Sequence, residues 1–536
     1  MPAPSPAYDY VIVGAGAAGC VLAYRLSQNP AHRVLLLEAG GRDAHPLLHM
    51  PKGIAKVMAD PNFIWAYMTA PEPAADGAQE SWARGRVLGG SSAINGMMYV
   101  RGQDKDFAAL AAIAGPDWSW PKIAAAYKAI ERHELGANET RGGEGPLRIS
   151  LPRVRAPVSR LAIDAGRALG LAVKEDVNDP EDCERIGLAP LTVHNGKRQS
   201  AAVAFLRPIA DRANLRIETG FAVDRVVFDS RRAVGVRGRR NGEDVEIRAG
   251  EVLLSGGCMA SPAILQRSGI GPADHLRTLG IDVLHDAPAV GANVREHRGM
   301  VMQWRVRDDA SENRDFYGPR LFANAARYYL TGDGPMAGGA YEAGAWVKTQ
   351  PDLDRPDGQI LIAPFTFDYS SPTFDVERRG GMNFCVYNLR PQSTGQIRIR
   401  SRDPSELPSI TANYGADDAD LSTMVRLIRY ARKLAATEPL AGIVREETRP
   451  GPHYQSAEEI RAAHRKFGYG NYHACGSCRI GADDASAVDP RLCVRGVDGV
   501  RVVDTSIFPA MLAGNTNAPA MATAWRAADL ILEDTR

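Results

Sequence analysis

Between Tyr8 and Glu38 a strand, a glycine turn, a helix and a second strand follow one another, and this run constrains the chain more than any other. Tyr10 to Val13 is short, uncharged and β-branched, which suits a strand buried on both faces of a parallel sheet. Gly14, Gly16 and Gly19 then form G-x-G-x-x-G and open an apolar helix pattern at Val21, Leu22 and Leu26. The first glycine permits a tight turn, the second lets backbone approach a pyrophosphate, and the third lets the helix pack closely on the strand. The diphosphate would sit on the helix N-terminus, where free N–H groups and the helix dipole favour negative charge. The second strand, Val34 to Leu37, closes on Glu38, 19 positions past the last glycine. An acid there accepts hydrogen bonds from an adenosine ribose and argues against a 2′-phosphate. These parts predict a dinucleotide cradle without choosing between FAD and NAD.

A chain of 536 residues exceeds one ordinary core, so two joined domains are expected. Its net charge of +1, with no block of one sign, points to small-molecule partners and away from nucleic acid or an anionic membrane. No run approaches the ~18 uninterrupted apolar residues of a spanning helix. Met1 to Ala7 carries no charged segment followed by an apolar stretch and cleavage site. Seven cysteines argue against a disulfide scaffold and suit a reducing compartment. The expectation is a cytoplasmic protein without a membrane span. Oligomeric state is not legible in the sequence.

After an excursion from Gly41 to Pro73 comes RGRVLGGSSAINGMMYVRG, Arg84 to Gly102. Its glycines and serines offer small residues and backbone donors against which a large flat ligand can lie. Together with the cradle, this stretch resembles the glucose-methanol-choline (GMC) oxidoreductase family. GGCMASPAILQRSGIGP, Gly256 to Pro272, is similar to that family's second signature, with Ser261-Pro262 opening a helix. VGANVREH, Val290 to His297, resembles a further family stretch, with Glu296 where Asp is usual. The resemblance runs from Tyr8 to about Leu532.

The resemblance implies FAD. Gly14, Gly16, Gly19 and Glu38 would hold its ADP half, with Ala17, Ala18 and Ala39 also among the cofactor-binding residues. Gly89, Gly90, Ser91, Asn95 and Met97 would run beside the flavin and Val223 near the adenine, with Trp65 also among the cofactor-binding residues. Gly256, Asp504, Asn517 and Ala518 complete the implied cofactor set. Some relatives bond a histidine of the glycine-serine stretch covalently to the flavin; Ile94 stands at that place, so non-covalent FAD is expected.

The implied fold class is α/β plus β: a discontinuous Rossmann-like FAD-binding domain (1–150, 201–298 and 468–536) with an inserted antiparallel-sheet substrate domain (151–200 and 299–467). The site should lie between them.

Near the C-terminus, NYHACGSCRIG, Asn471 to Gly481, matches the family pattern His-x-x-Gly-x-Cys-Arg-x-Gly and places the catalytic base at His473. Asn-Thr-Asn-x-Pro assigns its partner to Asn517. Oxidising an alcohol removes an O–H proton and a hydride from the same carbon. A neutral imidazole, with an ordinary pKa of about 6.5, can take the proton. An amide N–H₂ can donate to the developing alkoxide without competing for that proton, and the flavin takes the hydride.

Cys475 and Cys478 form C-x-x-C two residues after His473, which also admits a thiol redox pair, or a zinc site with Cys493 and His473; no metal is expected. Arg479 follows Cys478, so there is no haem-attachment motif, and oxygen, a quinone or another separate acceptor must take the electrons.

Ile360 to Tyr369 alternates so that Leu361, Ala363, Phe365 and Phe367 share a face. With Tyr472, Phe365 and Phe367 are the candidate substrate residues, favouring an aryl or other apolar alcohol. GRDAHPLLHMP, Gly41 to Pro51, also looks like sorbose- and polyol-dehydrogenating relatives, which keeps sugar alcohols open. A non-redox hydroxynitrile lyase retaining FAD is the alternative of another class.

Overall fold

The computed structural model describes residues 7–371 and 375–534. The reading of the N-terminus made on Met1 to Ala7 therefore lies almost wholly outside the described residues.

Tyr8–Val13 and Val34–Glu38 pair in parallel, Tyr10 opposite Val34, and both are buried almost throughout. They belong to a seven-stranded sheet whose main path runs Leu215–Thr219, Val34–Glu38, Tyr8–Val13, Glu243–Leu254, Arg232–Arg240, Phe221–Asp229. Glu243–Leu254 changes partner along its length. Its first half pairs antiparallel with Arg232–Arg240, Gly235 opposite Arg248, and its second half pairs in parallel with Tyr8–Val13 and with Val500–Val502. The β-like run that leads to Val223 is interrupted at Gly220, at φ 73°, so Leu215–Thr219 and Phe221–Asp229 are two strands that flank a turn.

The eight-stranded sheet runs Val444–Arg449, Arg298–Val306, Gly381–Asn388, Gly358–Ala363, Ala343–Val347, Arg185–Leu188, Ala172–Lys174, with Gly468–Gly470 also paired to Arg298–Val306. Only the Ala172–Lys174 pair with Arg185–Leu188 is parallel. Gly468–Gly470, which the sequence reading placed with the nucleotide half, thus hydrogen-bonds into this second sheet.

Alternation decides what each face of this sheet meets. Met300, Met302, Ile360, Ile362, Phe384 and Val386 pack under helices Pro157–Ala168 and Asp418–Ala435, against Ala162, Leu427 and Ile428. Each such side chain stabilises the fold by about 1.5–3 kcal/mol through burial. Val301, Leu361, Cys385 and Tyr387 point the other way, toward Met97, Met98 and Ala513. Because both faces are covered, Gly381–Asn388 is buried at every position and shows no polar alternation in sequence.

Helix Gly257–Arg267 begins four residues before Ser261, so Pro262 lies inside it rather than at its start. Proline removes the N–H that would bond the Cys258 carbonyl. The Ser477 hydroxyl donates to that carbonyl at 2.6 Å instead, which makes the proline tolerable and ties this helix to the segment after His473. Among the described residues no helix is long and apolar enough to cross a membrane.

Candidate active site

One cavity of about 1070 Å³ runs from the glycine turn to His473. At one end, Gly14 has φ 101°, and a Cβ there would fall 2.6 Å from the Ser255 carbonyl oxygen. A Cβ on Gly19 would fall 1.9 Å from the Gly14 oxygen, so Gly19 serves the packing of helix Ala17–Leu26 on its strand and does not line the cavity. Nothing lies within 4 Å of a Cβ built on Gly16, which faces the open cavity at the helix N-terminus, and no side chain caps that terminus. A cradle of this kind, open at the middle glycine and carrying free backbone donors, fits a dinucleotide diphosphate.

Glu38 is buried beside it. Its carboxylate accepts from the backbone N–H groups of Ala15 at 3.0 Å and Gly40 at 2.8 Å. Burial nevertheless pushes its pKa up to about 7. Ala17, Ala18, Ala39, Trp65, Gly90, Ser91, Asn95, Met97, Val223, Gly256, Asp504 and Asn517 line the same cavity. Gly89 and Ala518, assigned to the cofactor with them, do not. Gly89, at φ 91°, donates its N–H to the Ala15 carbonyl and ties the second glycine loop to the first; Ala518 is buried behind the wall. Asp504 accepts from the Gly257 N–H, the Ser261 hydroxyl and the Ser506 N–H, so its carboxylate organises the helix start from within the protein.

The loop Ser91 to Met97 is held from below by Arg198, a buried guanidinium that donates to the Asn95 carbonyl at 2.6 Å and to the Asn95 side chain at 2.7 Å. Burial lowers its pKa to about 9. Sequence reading missed this residue because nothing local distinguishes it from a surface arginine.

At the other end His473 is buried between two partners. His297 Nδ1 lies 2.9 Å from its Nδ1, and Asn515 Nδ2 lies 2.8 Å from its Nε2. His297 Nε2 lies 3.0 Å from the Leu389 carbonyl oxygen. A carbonyl only accepts, so His297 carries its proton on Nε2, and its neutral ring presents a lone pair at Nδ1. His473 must then donate from Nδ1, which leaves the lone pair on Nε2, where it accepts from the Asn515 amide. Burial, with His297 and Arg84 nearby, holds the His473 pKa well below the ordinary imidazole value and keeps the ring neutral. The His473 backbone N–H donates to Glu296 at 2.7 Å, and Glu296 lies 3.6 Å from Arg84. The stretch VGANVREH therefore supplies both groups that set His473, Glu296 to its backbone and His297 to its ring.

The amide that meets His473 belongs to Asn515 and not to Asn517, which was assigned that place. Gly514, at φ 122°, has Val100 2.5 Å from where a Cβ would be, and this tight passage delivers Asn515 to the imidazole. Asn517 is the first residue of helix Asn517–Asp534 and lines the cavity without a hydrogen bond to His473.

Phe365, Phe367 and Tyr472 all line the cavity. The strand ends at Ala363, however, so Phe365 and Phe367 reach the cavity from the loop beyond it. Cys475 and Cys478 are free, buried thiols, both pushed well above the ordinary range by burial. That is the opposite of the lowered value a redox-active C-x-x-C needs. Among the described residues, no group of three or more His, Cys, Asp or Glu is placed to hold a metal ion.

Comparison with known proteins agrees with this geometry. Family models described as GMC oxidoreductase match residues 8–298 and 391–524. An alcohol dehydrogenase [acceptor] of Pseudomonas putida is 37% identical over 530 residues, covering 98% of this chain and 96% of that protein. A mitochondrial choline dehydrogenase of Mus musculus is 36% identical over 537 residues, covering 98% of this chain and 89% of that protein. The crystal structure of pyridoxine 4-oxidase from Mesorbium loti superposes with a TM-score of 0.88 at 29% identity, covering 98% of this chain and 99% of the other. With its nucleotide cradle continuous with a buried histidine site, the chain belongs to the GMC oxidoreductase family of FAD-dependent alcohol oxidoreductases.

Proposed function

We propose that the chain oxidises an aryl or other apolar alcohol to the aldehyde or ketone, with His473 Nε2 as the base and the Asn515 amide as the donor to the developing alkoxide. The observation that carries this reading is the relay Leu389 carbonyl, His297, His473, Asn515, whose tautomers leave one basic nitrogen facing an amide N–H₂. A neutral imidazole takes the hydroxyl proton. An amide held beside it stabilises negative charge on the carbinol oxygen. Bound FAD supplies the acceptor for the hydride. Tyr387 packs against His473, and Phe365, Phe367, Tyr369 and Tyr469 line the same cavity, which supports an apolar substrate body.

The cofactor is read as non-covalent. Ile94 occupies the place of the histidine that some relatives attach to flavin, and the only lining histidine among the described residues is His473.

The test is an anaerobic titration of the purified flavoprotein with benzylic alcohols, sorbose, polyols and choline, followed in the visible spectrum. Bleaching by benzylic alcohols supports the reading. Bleaching by sorbose or polyols alone moves the substrate to the sugar-alcohol class, and rapid return of colour in air identifies oxygen as the acceptor. A flavin released by acid precipitation supports non-covalent binding.

A further inference from the structure

Arg449 ends strand Val444–Arg449 and lines the same cavity. Its guanidinium carbon lies 3.9 Å from the ring centre of Tyr369 and 4.6 Å from that of Phe467. The five N–H donors of a guanidinium point outward in the plane of the group. One of them, on Nη2, donates to the Phe467 carbonyl at 3.3 Å. The Nε donor is buried without a partner.

Other arginines of this region are matched. Arg305 is bidentate to Glu377 at 2.6 and 2.7 Å, Arg298 pairs with Glu80, and Arg84 faces Glu296. Among the described residues no carboxylate pairs with Arg449, and its charge is partly desolvated, which lowers its pKa. The four acids lining the cavity are engaged elsewhere. Glu38 binds the cradle amides, Asp504 the Gly257 helix start, Glu80 Arg298, and Glu406 faces Arg400. Lys466, exposed on the same lining, adds a second cation without adding an acid.

We infer that Arg449 is an anion anchor, and that the alcohol best fitted to this cavity carries a carboxylate on its apolar body. A planar carboxylate matches in-plane guanidinium donors, and the contacts with Tyr369 and Phe467 help to hold the group in place. The same arrangement disfavours a quaternary ammonium alcohol, whose cation would meet Arg449 with no acid to offset it. The inference rests on the alcohol-oxidising reading above and narrows its substrate.

The experiment compares flavin reduction by 4-(hydroxymethyl)benzoate with that by its uncharged analogue 4-(hydroxymethyl)benzamide, in the holoenzyme and in Arg449→Gln and Arg449→Lys. Wild type should favour the carboxylate in kcat/KM by roughly tenfold or more, the range for a charge-assisted hydrogen bond. The preference should reside in KM and should collapse toward one in Arg449→Gln. Arg449→Lys should retain part of it, since a point charge without the fork still attracts an anion. On wild type alone, benzoate should compete with benzyl alcohol at least tenfold more tightly than benzamide does. A carboxylate-to-amide ratio near one, equal inhibition by benzoate and benzamide, or a ratio that survives Arg449→Gln overturns the inference. Failure of every alcohol, charged or neutral, to bleach a flavin that dithionite reduces overturns the alcohol-oxidising reading instead.

Discussion

His297 and His473 share one hydrogen bond, Nδ1 to Nδ1 at 2.9 Å, and both rings are buried. Two neutral imidazoles can make this contact only if one donates, and the Leu389 carbonyl decides which. His473→Ala should lower the rate of flavin reduction by roughly 10²–10⁴-fold, as for loss of a general base, while the protein still purifies with FAD. His297→Ala leaves the base in place but frees its tautomer. It should cost roughly 10–100-fold, the range for removing an outer partner that orients a functional histidine. Stopped-flow reduction measures both, and a His297→Ala rate equal to wild type removes the tautomer assignment.

The pH dependence follows from the same pair. Only the unprotonated ring is a base, so protonation of the free enzyme sets the acid limb of kcat/KM. Burial, His297 and Arg84 lower the His473 pKa well below its ordinary value. An unperturbed imidazole of pKa about 6.5 would lose roughly three-quarters of its basic form on going to about pH 6. For this chain kcat/KM toward a non-ionising alcohol should instead stay level between about pH 8 and about pH 6. A limb centred near the ordinary imidazole value would show that His473 is more hydrated than its burial implies.

Asn515 and Asn517 separate by substitution. Asn515 donates to His473 Nε2 and its own Oδ1 is buried without a partner, whereas Asn517 opens a helix. Asn515→Ala should reduce turnover by roughly 10²–10³-fold, the cost of deleting a donor aimed at developing negative charge, and Asn517→Ala by far less. The reverse ranking in steady-state assays would return the role to Asn517.

The cradle was legible because it is local: strand, glycines, helix and acid lie within one short run, and each glycine has a steric reason visible in spacing. His473 was legible through the pattern it shares with a family. Its two ring partners were not, because they come from positions 176 residues upstream and 42 residues downstream, and only the fold joins them. Asn515 and Asn517 differ in sequence by two places and not at all in chemistry, so only the passage of Gly514 under Val100 distinguishes them. Phe365 and Phe367 were placed on a strand by alternation; the chain leaves the sheet after Ala363, and they reach the cavity nonetheless. Arg449 and Arg198 carry no local signal at all, since an arginine's surroundings are a property of tertiary packing.

The three cradle glycines should fail differently when each gains a methyl group. A Cβ on Gly19 would lie 1.9 Å from the Gly14 carbonyl oxygen, a backbone atom that cannot rotate away. Gly19→Ala should therefore destabilise the protein itself, and its melting temperature should fall with or without added FAD. A Cβ on Gly14 meets the Ser255 carbonyl at 2.6 Å and also forces φ 101° on a side-chain-bearing residue, so the same outcome is expected there. Gly16 has open space where its Cβ would be. Gly16→Ala should leave the melting temperature of the cofactor-free protein near that of wild type while weakening FAD binding, because the added methyl occupies the side from which the diphosphate must approach the helix N-terminus. Thermal unfolding of the cofactor-stripped proteins, followed by FAD titration, measures the two effects separately. Equal FAD affinity in Gly16→Ala and wild type would place the diphosphate away from this turn.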